Sequence, residues 1–358
     1  MTAVPVKIKK IIDGAKRVRG AKLSGLACAV PTTVADVRAL NETFGAETIE
    51  KIIATTGVEK RHVVKNICAS DLCYAAANKL IDDLKIERDS IDTLIFLSQT
   101  HDHVLPATAC ILQERLGLPD TTAAFDVAMG CSGYVYGLWL AHSLIAGGSN
   151  RVLLLVGDTI SQLINNQDRS VAALFGDAGS ATLIDKATDA KPVDFILGTD
   201  GKGAQNLEVP SGGARDRVGA YSSSDGIRSG FNLYMNGPEI FSFTLSRVPS
   251  LVAALTGLRD QIEGGSAVDR YYFHQANSFM LQHLAKRMKL PLEAVSLQLR
   301  NFGNTSSVSI PLAISEDAQG RPVTGNFLLA GFGVGYSWAG CVIELENLYV
   351  SPLTFVEE

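Results

Sequence analysis

The 358-residue sequence predicts an α/β fold, and three observations carry that prediction. Apolar, strand-like runs alternate with stretches of helical spacing along the chain. The composition, 46% hydrophobic and 19% charged, is that of a globular protein with ample core. Two pairs of segments also resemble each other: LIFLSQT (94–100) with RYYFHQA (270–276), and AGSATLI (178–184) with AGCVIEL (339–345). Such self-similarity points to a duplicated unit.

The opening MTAVPVKIKKIIDGAKRVRG scatters Lys and Arg without the long apolar stretch of a secretory signal. It reads as a solvated strand and turn, with an amphipathic membrane contact as the alternative. LIFLSQT, AAFDVAMG (123–130) and RVLLLVGDT (151–159) read as buried strands. ATACILQERLG (107–117) has helical spacing and stops at a glycine. GSATLID (179–185) closes a first half, which divides the chain into 1–186 and 187–358. The polar, Gly- and Ser-rich stretch from Asp200 to Arg228 reads as a surface loop shaping a substrate entrance. No apolar run approaches the roughly 20 residues of a membrane-crossing helix.

A net charge of −5 excludes the basic footprint of a nucleic-acid binder. The six cysteines, at 28, 68, 73, 110, 131 and 341, form no CxxC pair. Mostly inert, buried thiols in a reducing cytosol are therefore expected.

Laying DVAMGCSGYVYGLWLA over LRNFGNTSSVSIPLA places Cys131 opposite Asn304, each at a strand-to-helix turn. A thiol at a helix start feels the macrodipole and free backbone N–H groups, which favour the thiolate. Gly130 and Gly133 allow backbone or substrate to approach it. Alone, such a cysteine suits the role of a small buried hydrophobe equally well. His274 ends the apolar run YYF, at the strand end where α/β sheets place ligands. Alone it is a structural histidine, and NFGNTSS (301–307) alone is an N-cap and loop. Together, Cys, His and Asn can form one thioester and stabilise negative charge on the carbonyl oxygen of a second. The glycine-rich FGVGYSWAG (332–340) adds backbone N–H groups for an oxyanion. His101 and His103 lack a third metal ligand and read as loop histidines. FGDAG (175–179) lacks the Lys-Ser/Thr of a P-loop and reads as a tight turn.

From about residue 22 the sequence resembles the β-ketoacyl-acyl carrier protein synthase III enzymes of the thiolase superfamily. The resemblance rests on TGVEKRHV (56–63), LPATACILQERLG (105–117), FDVAMGCSG (125–133), DRSVAALFGDAGSA (168–181), HQAN (274–277), NFGNTSS and FGVGYSWAG, in family order. It implies a thiolase-like α/β fold of two duplicated βαβαβαββ halves in a five-layer αβαβα arrangement, as a homodimer. It implies Cys131 as nucleophile, His274 and Asn304 as the carbonyl-polarising pair, and Gly335 as oxyanion donor alongside the Cys131 N–H. The implied reaction is a ping-pong decarboxylative condensation of an acyl thioester with malonyl-acyl carrier protein. Coenzyme A and carrier-protein thioesters are the implied substrates, without metal or redox cofactor.

Departures from the family pattern point to a specialised paralogue. Lys51 and Thr55 stand where a Trp and an Arg hold coenzyme A, whereas Arg169, the second adenine contact, is retained. Phe279 replaces a carrier-protein-contacting Arg, leaving Lys286 and Arg287 on the same predicted helix to meet an acidic partner. Val334 adds bulk at the oxyanion turn, and Leu105, with Phe175, is assigned to the acyl pocket, Leu105 as a cap on the partner subunit's pocket. Two other readings share these residues: acyl transfer from Cys131 to a hydroxyl or amine, and a non-catalytic partner subunit. A hydroxymethylglutaryl-type synthase would need a catalytic Glu, which Glu47, Glu50 and Glu59 do not match.

Overall fold

The structure is a computed structural model and describes residues 6–221, 226, 228–260 and 267–358. The apolar runs read from the sequence form strands with nearly the same bounds. In the first half these are β1 (Ala21–Pro31), β2 (Thr93–Leu97), β3 (Ala123–Val127), β4 (Arg151–Asp158) and β5 (Ala178–Lys186). They lie in the order β3-β2-β4-β5-β1, with β5 antiparallel to both of its neighbours. The second half supplies β6 (Val193–Thr199), β7 (Arg270–Phe273), β8 (Val323–Gly333) and β9 (Ser337–Val350), in the order β7-β8-β9-β6. Here β9 is the antiparallel strand, and the counterpart of β3 is reduced to one bridge, Tyr271 to Val295. The segments that resemble each other in sequence, β2 with β7 and β5 with β9, therefore hold matching places. Parallel pairing of β9 with β1, at Tyr349–Gly25 and Val350–Leu26, joins the halves into one eleven-stranded sheet.

Alternation along the strands explains the layering. Leu26, Cys28, Ile95, Leu97, Phe327 and Leu329 all point into one central core. Their neighbours Ala27, Ala29, Leu94 and Phe96 face a second core, and Leu328, Ala330 and Phe332 a third. Both faces of each half's strands are thus covered, which is why they read as unbroken apolar runs. Helices α1 (Ala69–Leu84) and α2 (Thr108–Arg115) cover the outer face of the first half. Helices α3 (Gly133–Ala146) and α6 (Ser309–Ala318) fill the centre, and α4 (Gly237–Asp260) and α5 (Ser278–Met288) cover the second half. The result is the αβαβα stack of a thiolase-like fold.

Local signals set the helix ends. The Cys68 N–H donates to Asp71 Oδ2 at 2.8 Å ahead of α1, and Lys85 ends that helix at a φ of 53°. Asn277 caps α5, its side chain accepting from the Met280 N–H at 2.8 Å.

Three expectations need correction. The N-terminal stretch is a helix over Val6–Asp13 rather than a solvated strand and turn. Its Ile8, Ile11 and Ile12 pack into the α4 core, so protein covers its apolar face. The α4 stretch Gly237–Arg259 is long and apolar enough to cross a membrane, contrary to the sequence expectation. It buries Val248, Leu251, Ala254 and Leu255 against the second-half sheet. The expected loop at 200–228 contains a short 3-10 helix, Gly201–Asn206, and the strand Leu207–Glu208, paired with Tyr234–Met235. Residues 222–225 and 227 of it lie outside the described residues.

Candidate active site

The turn between β3 and α3 presses against β8. A side chain at Gly331 would stand 2.7 Å from Ser132 Cα, and one at Gly333 would stand 2.6 Å and 2.8 Å from Cys131 Cβ and Sγ. Only glycine admits this approach. A 2.6 Å hydrogen bond between the Ser132 and Ser337 hydroxyls ties the same turn to the second half. The space beside Gly130 is taken by Gln99 and Val334, and that beside Gly133 by Leu97. At those two glycines side chains of the same chain make the close approach, in place of the backbone or substrate expected.

Cys131, His274 and Asn304 line one cavity of about 70 Å³, with Phe175, Leu207 and Met235 among its walls. His274 leaves the end of β7 with its N–H on the Ala330 carbonyl at 2.9 Å. Its Nδ1 lies 2.7 Å from Ser309 Oγ, which also accepts from the Gln275 N–H at 3.2 Å. Gln275 locks this strand end: its amide donates to the Phe273 and Ser296 carbonyls and accepts from the Gln298 N–H. Burial lowers the His274 pKa to about 4, against a partial rise from the Ser306 backbone, so the imidazole is neutral at pH 7.

Asn304 is held by the neighbouring turn. Its N–H donates to the Leu174 carbonyl at 2.9 Å, and its carbonyl accepts from the Gly176 N–H at 3.1 Å. Its Oδ1 accepts from the Ser306 N–H at 2.9 Å, which leaves the carboxamide NH2 for the cavity.

Burial pushes the Cys131 thiol up to about 11, although the nearby Val334 N–H, its own N–H and the Ser306 side chain pull the other way. Desolvation thus opposes the helix start, which favours the thiolate. The amide meeting the sulfur is that of Val334. Gly335, the expected donor, follows Val334 in the same turn, where an added side chain would stand 2.9 Å from the Ser337 nitrogen.

The remaining predicted residues are distributed around this centre. Phe175 lines the cavity and bridges to Asn304. Arg169 lies with Lys51 and Thr55 in an adjoining pocket that shares Leu174 with the cavity wall. Lys286 and Arg287 are exposed in the last turn of α5, whose cap Asn277 lines the cavity. Phe279, also on α5, stacks on Phe241 with ring centroids 5.7 Å apart. Leu105 is 79% exposed and stands outside its own chain's cavity. His101 Nε2 lies 4.0 Å from Asp126. Sequence reasoning missed Ser306 and Ser309, which hold Asn304 and His274; the run of hydroxyls in GNTSSVS was the available signal.

The duplicated strand order, with Cys from one half and His and Asn from the other on a shared cavity, is the arrangement of a thiolase-like condensing enzyme. Residues 125–201 match the family described as 3-oxoacyl-[acyl-carrier-protein (ACP)] synthase III, and residues 263–345 match its C-terminal part. The β-ketoacyl-[acyl-carrier-protein] synthase III of Clostridioides difficile is 33% identical over 82% of this chain and 89% of its own. The crystal structure of a 3-oxoacyl-(acyl-carrier protein) synthase from Burkholderia xenovorans superposes with a TM-score of 0.90 at 41% identity, covering 96% of this chain and 99% of that one. The Pseudomonas aeruginosa synthase III gives 0.80 at 29% identity, covering 92% and 99%. The chain belongs to the 3-oxoacyl-[acyl-carrier-protein] synthase III family.

Proposed function

We propose that the chain condenses an acyl thioester, carried by coenzyme A or acyl carrier protein, with malonyl-acyl carrier protein, through an acyl-Cys131 intermediate. One observation carries this reading: a buried thiol, a neutral imidazole and a carboxamide share one cavity. In the first half-reaction Cys131 Sγ bonds to the acyl carbonyl carbon and the donor's C–S bond breaks. His274 Nε2 takes the thiol proton and passes it to the departing sulfur. In the second, the malonyl carboxylate leaves as CO₂, and its bonding electrons form an enolate. Nε2–H of His274 and the Asn304 NH2 donate to the enolate oxygen. The enolate carbon attacks acyl-Cys131, and the released thiolate is reprotonated. Ser309 supports both histidine roles, since its hydroxyl can donate to Nδ1 or accept from it. The sequence of steps calls for no metal or redox cofactor.

The Val334 N–H and the Cys131 N–H are proposed to hold the oxyanion of the acyl group. Arg169, in the adjoining pocket, is proposed to meet the adenine end of a coenzyme A donor, and Lys286 and Arg287 the acidic carrier protein. A homodimer is proposed across the open edge of β3, close to exposed Leu105. Six free cysteines, with Cys110 exposed, favour a reducing cytosol.

Intact-mass analysis after incubation with acyl-coenzyme A and acyl-carrier-protein donors tests the reading. One acyl group on Cys131, discharged by malonyl-acyl carrier protein with CO₂ release, is the expected result. Absence of any adduct would favour a non-catalytic subunit. Discharge by an amine or hydroxyl without malonyl consumption would favour simple acyl transfer.

A further inference from the structure

Asp158, at the end of β4, is a fully buried carboxyl group that the proposed reaction does not touch. Its two oxygens meet different halves of the molecule. Oδ1 accepts from the Gln99 N–H at 2.8 Å and the Ser98 hydroxyl at 3.2 Å, just past β2. Oδ2 accepts from the Ser307 N–H at 3.2 Å and from the Ser307 hydroxyl at 2.5 Å. Ser307 belongs to the turn that carries Asn304. Between the two lies Ser306, 2% exposed, with a φ of 51° that costs a non-glycine residue energy. In that conformation the Ser306 N–H meets Asn304 Oδ1 at 2.9 Å. Such a backbone persists only where its surroundings over-determine it.

We propose that Asp158 is a positioning residue for the second half-reaction: its double grip on Ser307 holds the turn that aims the Asn304 NH2 into the cavity. The inference rests on the proposed condensation, in which that NH2 donates to the enolate oxygen. A carboxamide can present either its oxygen or its NH2, and a donor on one side settles the choice. Here the donor is the Ser306 N–H, and its place depends on the positive φ. Asn304 is pinned before that residue by its backbone bonds to Leu174 and Gly176, and Ser307 is pinned after it by Asp158. With both ends fixed, Ser306 cannot relax. An ionised carboxylate suits this place because it accepts and never donates. An amide there would set an N–H against the N–H of either Gln99 or Ser307. Asp158 is not on the cavity wall, so it acts through the turn.

The test times the two half-reactions separately on the full chain. Acylation of Cys131 by the coenzyme A or carrier-protein donor that loads it is read by intact mass, and malonyl decarboxylation by CO₂ release from malonyl-acyl carrier protein. Ser307→Ala removes one bond to Oδ2 and should slow CO₂ release about tenfold, with acylation changed less than twofold. Asp158→Asn should slow CO₂ release about a hundredfold and spare acylation in the same way. Ser98→Ala takes a hydroxyl from the same carboxylate on the side away from the turn, and should leave both rates within about twofold. Added to Asn304→Ala, Ser307→Ala should change CO₂ release by less than about twofold, because the group it positions is already gone. A further fall of about tenfold in that double variant would overturn the proposal. Equal falls in both half-reactions, undiminished CO₂ release in Ser307→Ala, or the same loss in Ser98→Ala would also overturn it. Should Asp158→Asn fail to fold, the serine variants decide alone. Wild-type protein that takes up acyl groups yet releases no CO₂ would refute the proposed reaction and the inference with it. Wild-type CO₂ release without the expected split would refute the inference alone.

Discussion

The ends of β2 and β7 occupy the same place in the two halves, yet they hold different things. After β2, the Ser98 hydroxyl and the Gln99 N–H both bond the Asp158 carboxylate. After β7, His274 Nδ1 and the Gln275 N–H both meet the Ser309 hydroxyl. The backbone geometry is repeated and the side chains are not. One half spends this position on anchoring a buried charge, while the other uses it to present an imidazole. The turns that follow divide the labour the other way: the first half supplies the sulfur, and the second a carboxamide. Duplication thus gave two equivalent scaffolds, and a complete site exists only where their unlike residues face one another.

The contrast can be broken first at Asn304. Removing its carboxamide in Asn304→Ala should cut malonyl decarboxylation by about 10²–10³, with acylation of Cys131 changed only a few-fold. Separate rates for the two half-reactions check this, and an equal fall in both would erase the division between halves. Next comes the glutamine pair. Gln275→Ala breaks three hydrogen bonds, two of them buried, and should cost about 2–3 kcal/mol in urea unfolding, whereas Gln99→Ala, at an exposed side chain, should cost under about 1 kcal/mol.

A histidine in each half sharpens the comparison further. His142 on α3 and His274 are both lowered to about 4 by burial, but only His274 lines the cavity. Between about 4 and the ordinary 6.5 the unfolded chain binds protons that these folded imidazoles refuse, so stability falls as pH drops through that window. Asp177, raised to about 6 by burial, acts in the opposite sense below that value. His142→Gln should remove about one proton from the uptake and flatten the stability profile there, with the acid limb of condensation unmoved. The smallest effect is expected at Thr244, whose buried hydroxyl on the cavity wall has no hydrogen-bond partner among the described residues. Thr244→Val should raise stability by about 1 kcal/mol in thermal unfolding.

Much of this architecture was legible in the residues. The runs at 94–100, 123–130 and 151–159 were readable because both sheet faces are covered, and Cys131, His274 and Asn304 stood at recognisable strand-to-helix junctions. What escaped depends on contacts remote in sequence. Asp158 meets Ser307 across 149 positions, which no local pattern records. Ser306 matters through a positive φ that its residue type does not announce. The eight-residue N-terminal helix is too short to be stable alone and forms against α4. Polar residues such as Ser246 and Arg247 interrupt the α4 apolar pattern, hiding a helix that the sequence reading did not identify.

The hydrogen bond between Ser132 and Ser337 joins residues whose backbones belong to opposite repeats, directly beside the sulfur. Cutting the gene between 186 and 193 and expressing the two pieces separately would consequently turn turnover into a gauge of reassembly. Neither piece could work by itself, and regained activity would measure how faithfully they had docked.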